Sequence, residues 1–363
     1  MPPRNHKQWS SAPQVEAISS ACYNSFEIHQ QEQDKIFSKV WVPMCHKSEM
    51  PNAGNFRTTQ IAGVNIIAVN NGDTIKTYLN TGKFNTPSGT MTRVEFLMND
   101  YKELYTEVKH GGMVWTTLNE NPTQSVEEWT AGAFDCIADA IDTEEMEVFH
   151  YHKAVINTNY KLWHDTNSEF YHDFMHYFNR VSGFNDEYFA RKNIPFDNGH
   201  VNVSSFTVNY EEYSGFEDRG ELSFPNLPPN QWYMVDLFPG FNFNLRGSAY
   251  RSDAVTPLGP NKVLIEFRGY GLLSDTKEER LTRINHHNSI WGPFGRNLHE
   301  DLIGVAGQGV TMREGTEVRN ILHGRHENST IHDEVGMRHY YSEWGKYLDI
   351  DPYFSEKVLD KVA

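Results

Sequence analysis

WHDTNSEFYHDFMHYFNR, residues 163–180, is the stretch of sequence on which the interpretation of the whole chain depends. Its pattern predicts a helix, on which four ionisable side chains recur at intervals of four, three and four residues: Asp165, Glu169, His172 and His176. These intervals place the four side chains on one helical face. Two histidines four residues apart can reach one metal ion, because their Cβ atoms lie only about 6 Å apart. The stripe therefore favours a divalent-metal site.

The same stretch also fits a helix that holds no metal. Phe170, Phe174, Tyr177 and Phe178 cluster on a different face of the predicted helix, and that apolar face could be the buried one. The polar stripe would then be a solvated surface. The stretch taken by itself leaves both interpretations open.

A second motif supplies a carboxylate. Residues 294–305, FGRNLHEDLIGV, place His299, Glu300 and Asp301 together on another predicted helix. Two histidines and one carboxylate around a metal with open positions is the arrangement of non-heme Fe(II) oxygenases. By itself, such a triplet is more typical of a charged surface.

Composition excludes several classes of protein. The chain has 363 residues, enough for a large core and two domains. Its net charge of −16 and the lack of a basic run argue against non-specific nucleic-acid binding. The sequence contains no apolar run of about 18 residues and no basic segment before an apolar core, so we expect neither a membrane span nor a secretory signal. The three scattered cysteines, Cys22, Cys45 and Cys136, suit a reducing cytoplasm.

Two β-rich tracts and several helical segments indicate an α+β fold. Residues 41–80 predict short strands, with a hairpin signal at the Asn-Gly-Asp of 71–73, and a second β-rich tract covers 200–272. Helical periods cover four other segments: 23–40, 125–141, 276–312 and 334–349. The strand pattern restarts near residue 145, so we expect a domain division at 140–150.

Residues 159–176, NYKLWHDTNSEFYHDFMH, resemble the catalytic segment of the α subunits of Rieske-type aromatic-ring-hydroxylating oxygenases. Four other segments resemble landmarks of that family in the same order. They are the N-terminal strand region (41–63), the end of the Rieske domain (111–129), the region of the iron carboxylate (291–309) and the C-terminal helix (334–348). The resemblance spans about 300 residues and strengthens the metal-site interpretation.

The resemblance implies a mononuclear Fe(II) site with a definite ligand set. His172 and His176 match the family's two histidine ligands, and Asp301 matches the carboxylate ligand. Glu300 is the neighbouring alternative to Asp301. Glu169 matches the acidic residue that, in the family, bridges the iron site to the Rieske cluster of the adjacent subunit.

Asp165 is, with Glu169, a candidate catalytic residue, because it matches a position near the metal that is often Asn in the family. One departure concerns spacing: the family usually separates its histidines by five residues, whereas here the interval is four and Tyr177 stands at the fifth position. Three other histidines are spare candidates, each interpreted as structural: His164, His286 and His287.

The second departure concerns the Rieske domain. The family binds a [2Fe–2S] cluster through Cys-x-His and Cys-x-x-His loops. The first loop should follow Asn80, yet the sequence there is TGKFNTPSG, and no cysteine lies between Asn80 and Gly111. The only histidine of that interval is His110, at its edge. Cys45-His46 lies upstream in a predicted strand and is interpreted as structural, so we expect no [2Fe–2S] cluster in this chain.

These inferences predict a domain plan. Residues 1–40 would form an N-terminal arm and helix, and residues 41–145 a small, vestigial Rieske-like β domain without cluster ligands. Residues 146–363 would form a helix-grip (START/Bet v 1-like) catalytic domain with an antiparallel sheet and the iron site.

The expected function is mono- or dioxygenation of a small organic substrate, aromatic or not, with Fe(II) and O2. Electrons would come from a separate ferredoxin or from a cluster-bearing subunit. The chain would assemble as a homo- or hetero-oligomer, α3 or α3β3, the latter with a small β subunit. The alternatives are a non-catalytic partner subunit of a hetero-oligomeric oxygenase, a helix-grip ligand-binding protein and, more weakly, a hydrolytic metal site.

Overall fold

Two antiparallel sheets organise the chain. The structure, a computed structural model, describes residues 16–80, 86–91, 101–210, 221–315, 319–322 and 328–353. Within these ranges, the chain forms two seven-stranded sheets and one two-stranded ribbon. The described part contains no helix that is long and apolar enough to cross a membrane. The expected α+β class with antiparallel sheets is confirmed.

The first sheet is built from the strands between residues 42 and 117, in the order β2-β8-β7-β5-β4-β3-β6. Its strands are β2 (Val42–His46), β3 (Asn55–Ile61), β4 (Val64–Asn70), β5 (Ile75–Leu79), β6 (Ser88–Thr90), β7 (Glu103–Lys109) and β8 (Met113–Thr117). The predicted Asn-Gly-Asp turn joins β4 to β5. There, Asn71 Oδ1 accepts hydrogen bonds from the backbone of Asp73 and Thr74, and Gly72 has a φ of +102°, a region that favours glycine.

The second sheet has the order β10-β11-β12-β13-β14-β15-β9. Its strands are β9 (Met146–Ile156), β10 (Asn193–Pro195), β11 (Val201–Thr207), β12 (Gln231–Leu237), β13 (Phe241–Arg246), β14 (Ala249–Gly259) and β15 (Lys262–Leu272). All of β13 and most residues of β14 and β15 are buried, so both faces of these strands are covered over most of their length. This sheet forms one wall of the helix-grip domain.

The helices lie before, between and after the two sheets. Those of the N-terminal half are α1 (Ala21–Asn24), α2 (Phe26–Glu32), α3 (Val126–Thr130) and α4 (Ala138–Ile141). Those of the C-terminal half are α5 (Tyr160–Ser168), α6 (Tyr177–Ser182), α7 (Asp186–Ala190), α8 (Lys277–Trp291), α9 (Leu298–Glu314) and α10 (Val335–Leu348). α8 packs against β14 and β15, and α9 packs against α5 and α8. The predicted break in the 276–312 segment falls between α8 and α9.

The prediction of one continuous helix over 163–180 is wrong. α5 ends at Ser168, a 3-10 turn covers Tyr171–Phe174, and α6 begins only at Tyr177. Glu169 is extended (φ −107°, ψ 141°), and its carboxylate accepts hydrogen bonds from the backbone N–H groups of Tyr171 and His172. A side chain that caps the next turn in this way competes with continuation of the helix. The spacing of His172 and His176 is therefore not that of a regular helix.

The N-terminal segment packs against the second half of the chain. After α2 it continues as a π-helical turn over Gln33–Phe37. Glu32 is fully buried, forms an ion pair with Lys161 of α5 and accepts a hydrogen bond from Trp344 of α10. β1 (Glu16–Ser19) pairs with β16 (Arg319–Leu322). The N-terminal segment thus contributes to the core around α5 and α10.

Candidate metal centre

Three side chains from different elements converge on one point. His172 lies in the 3-10 turn after α5, His176 immediately precedes α6, and Asp301 lies in the first turn of α9. Asp301 Oδ1 is 2.9 Å from His176 Nε2 and 3.6 Å from His172 Nε2. The two imidazole ring centroids are 5.2 Å apart. The break in the predicted helix is what turns both rings toward α9.

Carboxylates hold the far nitrogen of each ring. Glu169 Oε1 lies 2.7 Å from His172 Nδ1, and Glu300 Oε2 lies 2.7 Å from His176 Nδ1. In a neutral ring, such a contact keeps the proton on Nδ1 and leaves the Nε2 lone pair free for a metal. Glu300 and Asp301 therefore have different positions: Glu300 contacts the outer nitrogen of His176, and Asp301 faces the inner nitrogens of both rings.

The contact between Asp301 and His176 leaves a buried carboxylate oxygen that a metal ion could bind. Asp301 Oδ1 is buried and has no hydrogen-bond partner among the described residues, although His176 Nε2 is only 2.9 Å away. Oδ1 also lies 3.6 Å from His172 Nε2, so this one oxygen is close to the inner nitrogens of both rings. A buried acceptor without a donor is costly, and a cation bound there would satisfy it.

The electrostatics of the site also favour a cation. Burial opposes charge on His172, but the carboxylates of Glu169, Asp173 and Asp301 prevail and raise its pKa to about 10. The pKa of His176 is also raised: burial lowers it, and the nearby Asp301 carboxylate outweighs that effect. A divalent metal bound there would take the place of the protons that these carboxylates attract.

Asp173 belongs to the same cluster, although the sequence reasoning missed it. Ligand atoms of His172, Asp173 and His176 all lie within 4.8 Å of one another. Asp173 also accepts hydrogen bonds from Tyr188 Oη at 2.8 Å and Asn179 Nδ2 at 2.9 Å. The available signal was its position directly after His172. It was overlooked because it falls off the expected helical stripe.

Asp165 does not face this cluster, contrary to the expectation that it lies near the metal. Its carboxylate accepts hydrogen bonds from Tyr23 and Tyr341, each at 3.0 Å. Burial raises its pKa to about 6. Because α5 ends before Glu169, Asp165 points to the junction of α1, α5 and α10, away from the side reached by the two imidazoles. The four-residue stripe is thus divided between two separate polar clusters.

The three spare histidines have structural surroundings. His164 is 3.2 Å from Asp236 and stacks on Tyr340 at 3.6 Å between centroids. His286 Nδ1 contacts Ser248 Oγ at 2.7 Å. His287 is fully buried against β15. These contacts agree with the structural interpretation of each ring.

Cys45 and His46 of the first sheet also have structural surroundings. Cys45 is fully buried, and the two ring nitrogens of His46 contact Ser48 Oγ and the carbonyl oxygen of Gly111. Burial lowers the pKa of His46 to about 4. The segments where the cluster loops were expected, 81–85 and 92–100, lie outside the described residues.

A small cavity of about 30 Å³ adjoins the converging side chains. Besides His172, Asp173, His176 and Asp301, its lining includes Thr166, Asn167, Phe170, Trp232, Met234, Asn244, Arg246, Arg251 and Asn297. The two arginines come from neighbouring strands of the second sheet. The sequence reasoning did not identify them, because nothing in the β-rich tract distinguishes an arginine that faces a cavity from one that faces water.

Comparisons with known proteins identify the family. The chain is 54% identical over 400 aligned positions to the methanesulfonate monooxygenase hydroxylase subunit alpha of Methylosulfonomonas methylovora, covering 97% of this chain and 96% of the relative. It is 31% identical to the 2-aminobenzenesulfonate 2,3-dioxygenase subunit alpha of an Alcaligenes species, covering 91% of this chain and 93% of the relative. No protein-family model matches the chain.

Solved structures share the fold. Naphthalene 1,2-dioxygenase from a Rhodococcus species superposes with a TM-score of 0.73 at 15% identity, covering 92% of this chain and 94% of that chain. A quaternary ammonium Rieske monooxygenase gives a TM-score of 0.70, also at 15% identity, covering 92% of this chain and 97% of that chain. Together with the close relatives, these findings show that the chain belongs to the family of Rieske-type oxygenase α subunits and is an oxygenase.

Proposed function

We propose that this chain is an oxygenase component that holds one mononuclear Fe(II) through His172, His176 and Asp301 and receives its electrons from a separate protein. The observation that carries the proposal is the convergence of two Nε2 atoms on the buried Asp301 Oδ1, which has no hydrogen-bond partner among the described residues. Two histidines and one carboxylate leave open coordination positions, and Fe(II) bound there supplies the activation of O2.

The surrounding residues orient the ligands and exclude water. Glu169 and Glu300 keep a proton on the Nδ1 atoms of the two histidines and thereby aim both Nε2 atoms inward. Phe170, Trp232 and Met234 are each only 3% exposed and form an apolar wall of the cavity.

The absence of a cluster in this chain is proposed from its sequence. A [2Fe–2S] Rieske centre needs two cysteines and two histidines, and no cysteine lies between Asn80 and Gly111. The 400 positions aligned with the methanesulfonate relative exceed the 363 residues of this chain. That relative therefore contains residues without a counterpart here, as expected if a segment has been lost.

Oxygenation then requires an external donor. Insertion of one oxygen atom into a C–H bond, with the other oxygen reduced to water, consumes two electrons and two protons. The solved structure of the quaternary ammonium Rieske monooxygenase gives insights into electron transfer between its subunits. We propose that the iron site of this chain likewise receives its electrons from another protein, either a cluster-bearing subunit or a ferredoxin.

An exposed apolar surface beside the metal centre supports docking of such a donor. Four large side chains next to the two histidines are between 41% and 53% exposed: Tyr171, Phe174, Met175 and Tyr177. Contiguous exposed apolar surface typically marks a site of protein association. Glu169, 17% exposed in its side chain, lies between this surface and His172 and is the proposed contact point for the donor.

A metal titration tests the proposed ligands. The full-length chain, its His172→Ala variant and its His299→Ala variant are titrated anaerobically with Fe(II). We expect His172→Ala to lose tight binding and His299→Ala to keep it, because His299 belongs to the same region of α9 but is exposed. Equal Fe(II) affinity in all three proteins would refute the proposed site.

A kinetic experiment tests the source of electrons. The Fe(II)-loaded chain is mixed with O2, substrate and a reduced ferredoxin, and oxidation of the ferredoxin is followed optically. We expect rapid oxidation with the native chain and only the background rate with His172→Ala. Sustained turnover without any added donor protein, supported by NADH alone, would contradict the proposal.

A further inference from the structure

Arg246, on β13, is a buried guanidinium with no ionic partner among the residues that the structure describes. Its residue is 7% exposed, and no carboxylate of the described residues lies within ion-pair distance. Its Nε atom has no hydrogen-bond partner among those residues. The guanidinium makes cation–π contacts with three aromatic rings. It lies 5.6 Å from the ring centroid of Trp291, 5.7 Å from that of Phe178 and 5.8 Å from that of Trp232.

Such a position is energetically costly unless something compensates for it. A buried charge normally has an ionic partner or several hydrogen bonds, and contacts with aromatic faces offset only a part of its desolvation. Burial lowers the pKa of Arg246, while Asp173 and Asp301 act against that effect from across the cavity. The guanidinium remains charged, because an arginine holds its proton in proteins.

A second guanidinium lies beside it. Asn244 and Arg246 occupy the same face of β13, and Arg251 of β14 stands opposite Asn244, so the two arginines are diagonal neighbours. Arg251 is paired with Asp253 through Nε at 2.7 Å and Nη2 at 2.8 Å. Its Nη1 atom has no hydrogen-bond partner among the described residues.

Both arginines line the cavity that also contains the inner faces of His172, His176 and Asp301. The cavity thus has a cationic wall, on the second sheet, opposite the proposed metal ligands. Guanidinium groups bind sulfonates and carboxylates through charge-assisted hydrogen bonds. The cavity is small, about 30 Å³, so a fused aromatic ring system would require the side chains to move.

We propose that Arg246, assisted by Arg251, forms an anion-binding subsite that selects a small organic anion as substrate. The sulfonate or carboxylate group of that anion contacts the guanidiniums, and its carbon chain points toward His172 and His176. This assignment deepens the proposed function and rests on it for the oxygenation of the bound molecule. The binding itself requires neither iron nor electrons.

Calorimetric titration of the full-length, metal-free chain tests the subsite. Three small probes are compared: methanesulfonate, acetate and dimethyl sulfone, which is a neutral molecule of nearly the same shape as methanesulfonate. We expect at least one anion to bind and dimethyl sulfone to bind at least 10-fold more weakly, or not at all. The two anions distinguish a sulfonate site from a carboxylate site.

Variants assign the binding to the guanidinium. Arg246→Met should weaken anion binding by about 10- to 100-fold, because charge-assisted hydrogen bonds are lost. Arg180→Met, an exposed arginine on α6, should change nothing. The thermal midpoint of Arg246→Met should stay the same or rise, since the substitution removes a buried charge that has no ionic partner in the described part of the chain. A residue that is only structural would instead lower that midpoint.

Two results would overturn the subsite. One is equal affinity for methanesulfonate, acetate and dimethyl sulfone in both the metal-free and the Fe(II)-loaded chain. Binding of none of the three probes to either form counts as the same result. The other is unchanged anion affinity in Arg246→Met or, should that variant not fold, in Arg246→Gln, which also removes the charge. Failure of the metal centre is separately visible, because His172→Ala would then behave like the native chain in the Fe(II) titration.

Discussion

The hydrogen bond between Glu300 and His176 allows the change in Fe(II) affinity on substitution of Glu300 to be predicted. Glu300 Oε2 lies 2.7 Å from Nδ1 of a histidine whose side chain is 1% exposed, while Glu300 itself is 29% exposed. Its carboxylate fixes the ring orientation and increases the basicity of Nε2. We therefore expect Glu300→Ala to weaken Fe(II) binding without removing any proposed ligand atom.

The magnitude follows from the geometry. A hydrogen bond that involves a charged group contributes about 1.5–3 kcal/mol, and 1.4 kcal/mol corresponds to a tenfold change in an equilibrium constant. Loss of the contact should therefore weaken Fe(II) binding by about 10- to 100-fold, the range that is typical for such supporting carboxylates. Glu300→Gln keeps an acceptor for the Nδ1 proton but loses the charge. Because Glu300 is partly solvated, that variant should lose only about tenfold.

The assay is anaerobic competition for Fe(II) between the protein and a coloured chelator. His299→Ala, at the preceding and exposed position, serves as the matched control. Far-UV circular dichroism verifies that each variant is folded. Unchanged Fe(II) affinity in a folded Glu300→Ala protein would refute the idea that this carboxylate supports the metal ligand.

Three further variants test other parts of the structure. Asp165→Asn should retain Fe(II) binding and remove a pH dependence of stability. Since the pKa of Asp165 is raised to about 6 in the folded protein, the native state binds the extra proton, and native stability should fall as pH rises from about 4 to 6. Gly269→Ala should cost about 1–3 kcal/mol in urea denaturation, because its Cβ would lie 2.5 Å from the ring of His287. Lys161→Met should cost about 3–5 kcal/mol in the same measurement, because it leaves the carboxylate of Glu32 buried and unpaired.

Thermal midpoints check the Asp165 variant, and matched control variants check the other two. The Asp165 result is checked by thermal midpoints of both proteins between pH 4 and 7, and parallel curves would contradict the assigned role. Gly259→Ala, where a Cβ meets nothing within 4 Å, should be nearly neutral. Lys102→Met disrupts an exposed pair with Glu120 and should cost less than about 1 kcal/mol. Equal losses in test and control variants would contradict the packing and burial arguments.

The sequence predicted the main sheets and most helices because their patterns are local. The hairpin at Asn71 and the break between α8 and α9 both depend on Gly, Pro and Asn residues whose backbone preferences are strong. The continuous helix at 163–180 failed because Glu169 uses its side chain to cap the turn that contains His172, and a helical period does not reveal that competition.

The site was only partly predictable for a similar reason. His172, His176 and Asp301 were identified through family resemblance, and the structure brings them together. Asp165 was grouped with them by a spacing that exists only in a regular helix. Arg246 became visible only through the three-dimensional structure, since its burial depends on strand pairing and on aromatic rings that are remote in sequence.

Counting iron and sulfide in one sample distinguishes a chain that holds only a mononuclear iron from a chain that also holds an iron–sulfur cluster. The full-length chain is reconstituted anaerobically with Fe(II) and sulfide, desalted, and analysed for iron and acid-labile sulfide per chain. We expect about one iron and no sulfide for the native chain, and neither for His172→Ala. Sulfide bound in equal amount to iron, or iron retained fully by His172→Ala, would contradict a chain that holds only a mononuclear site at His172, His176 and Asp301.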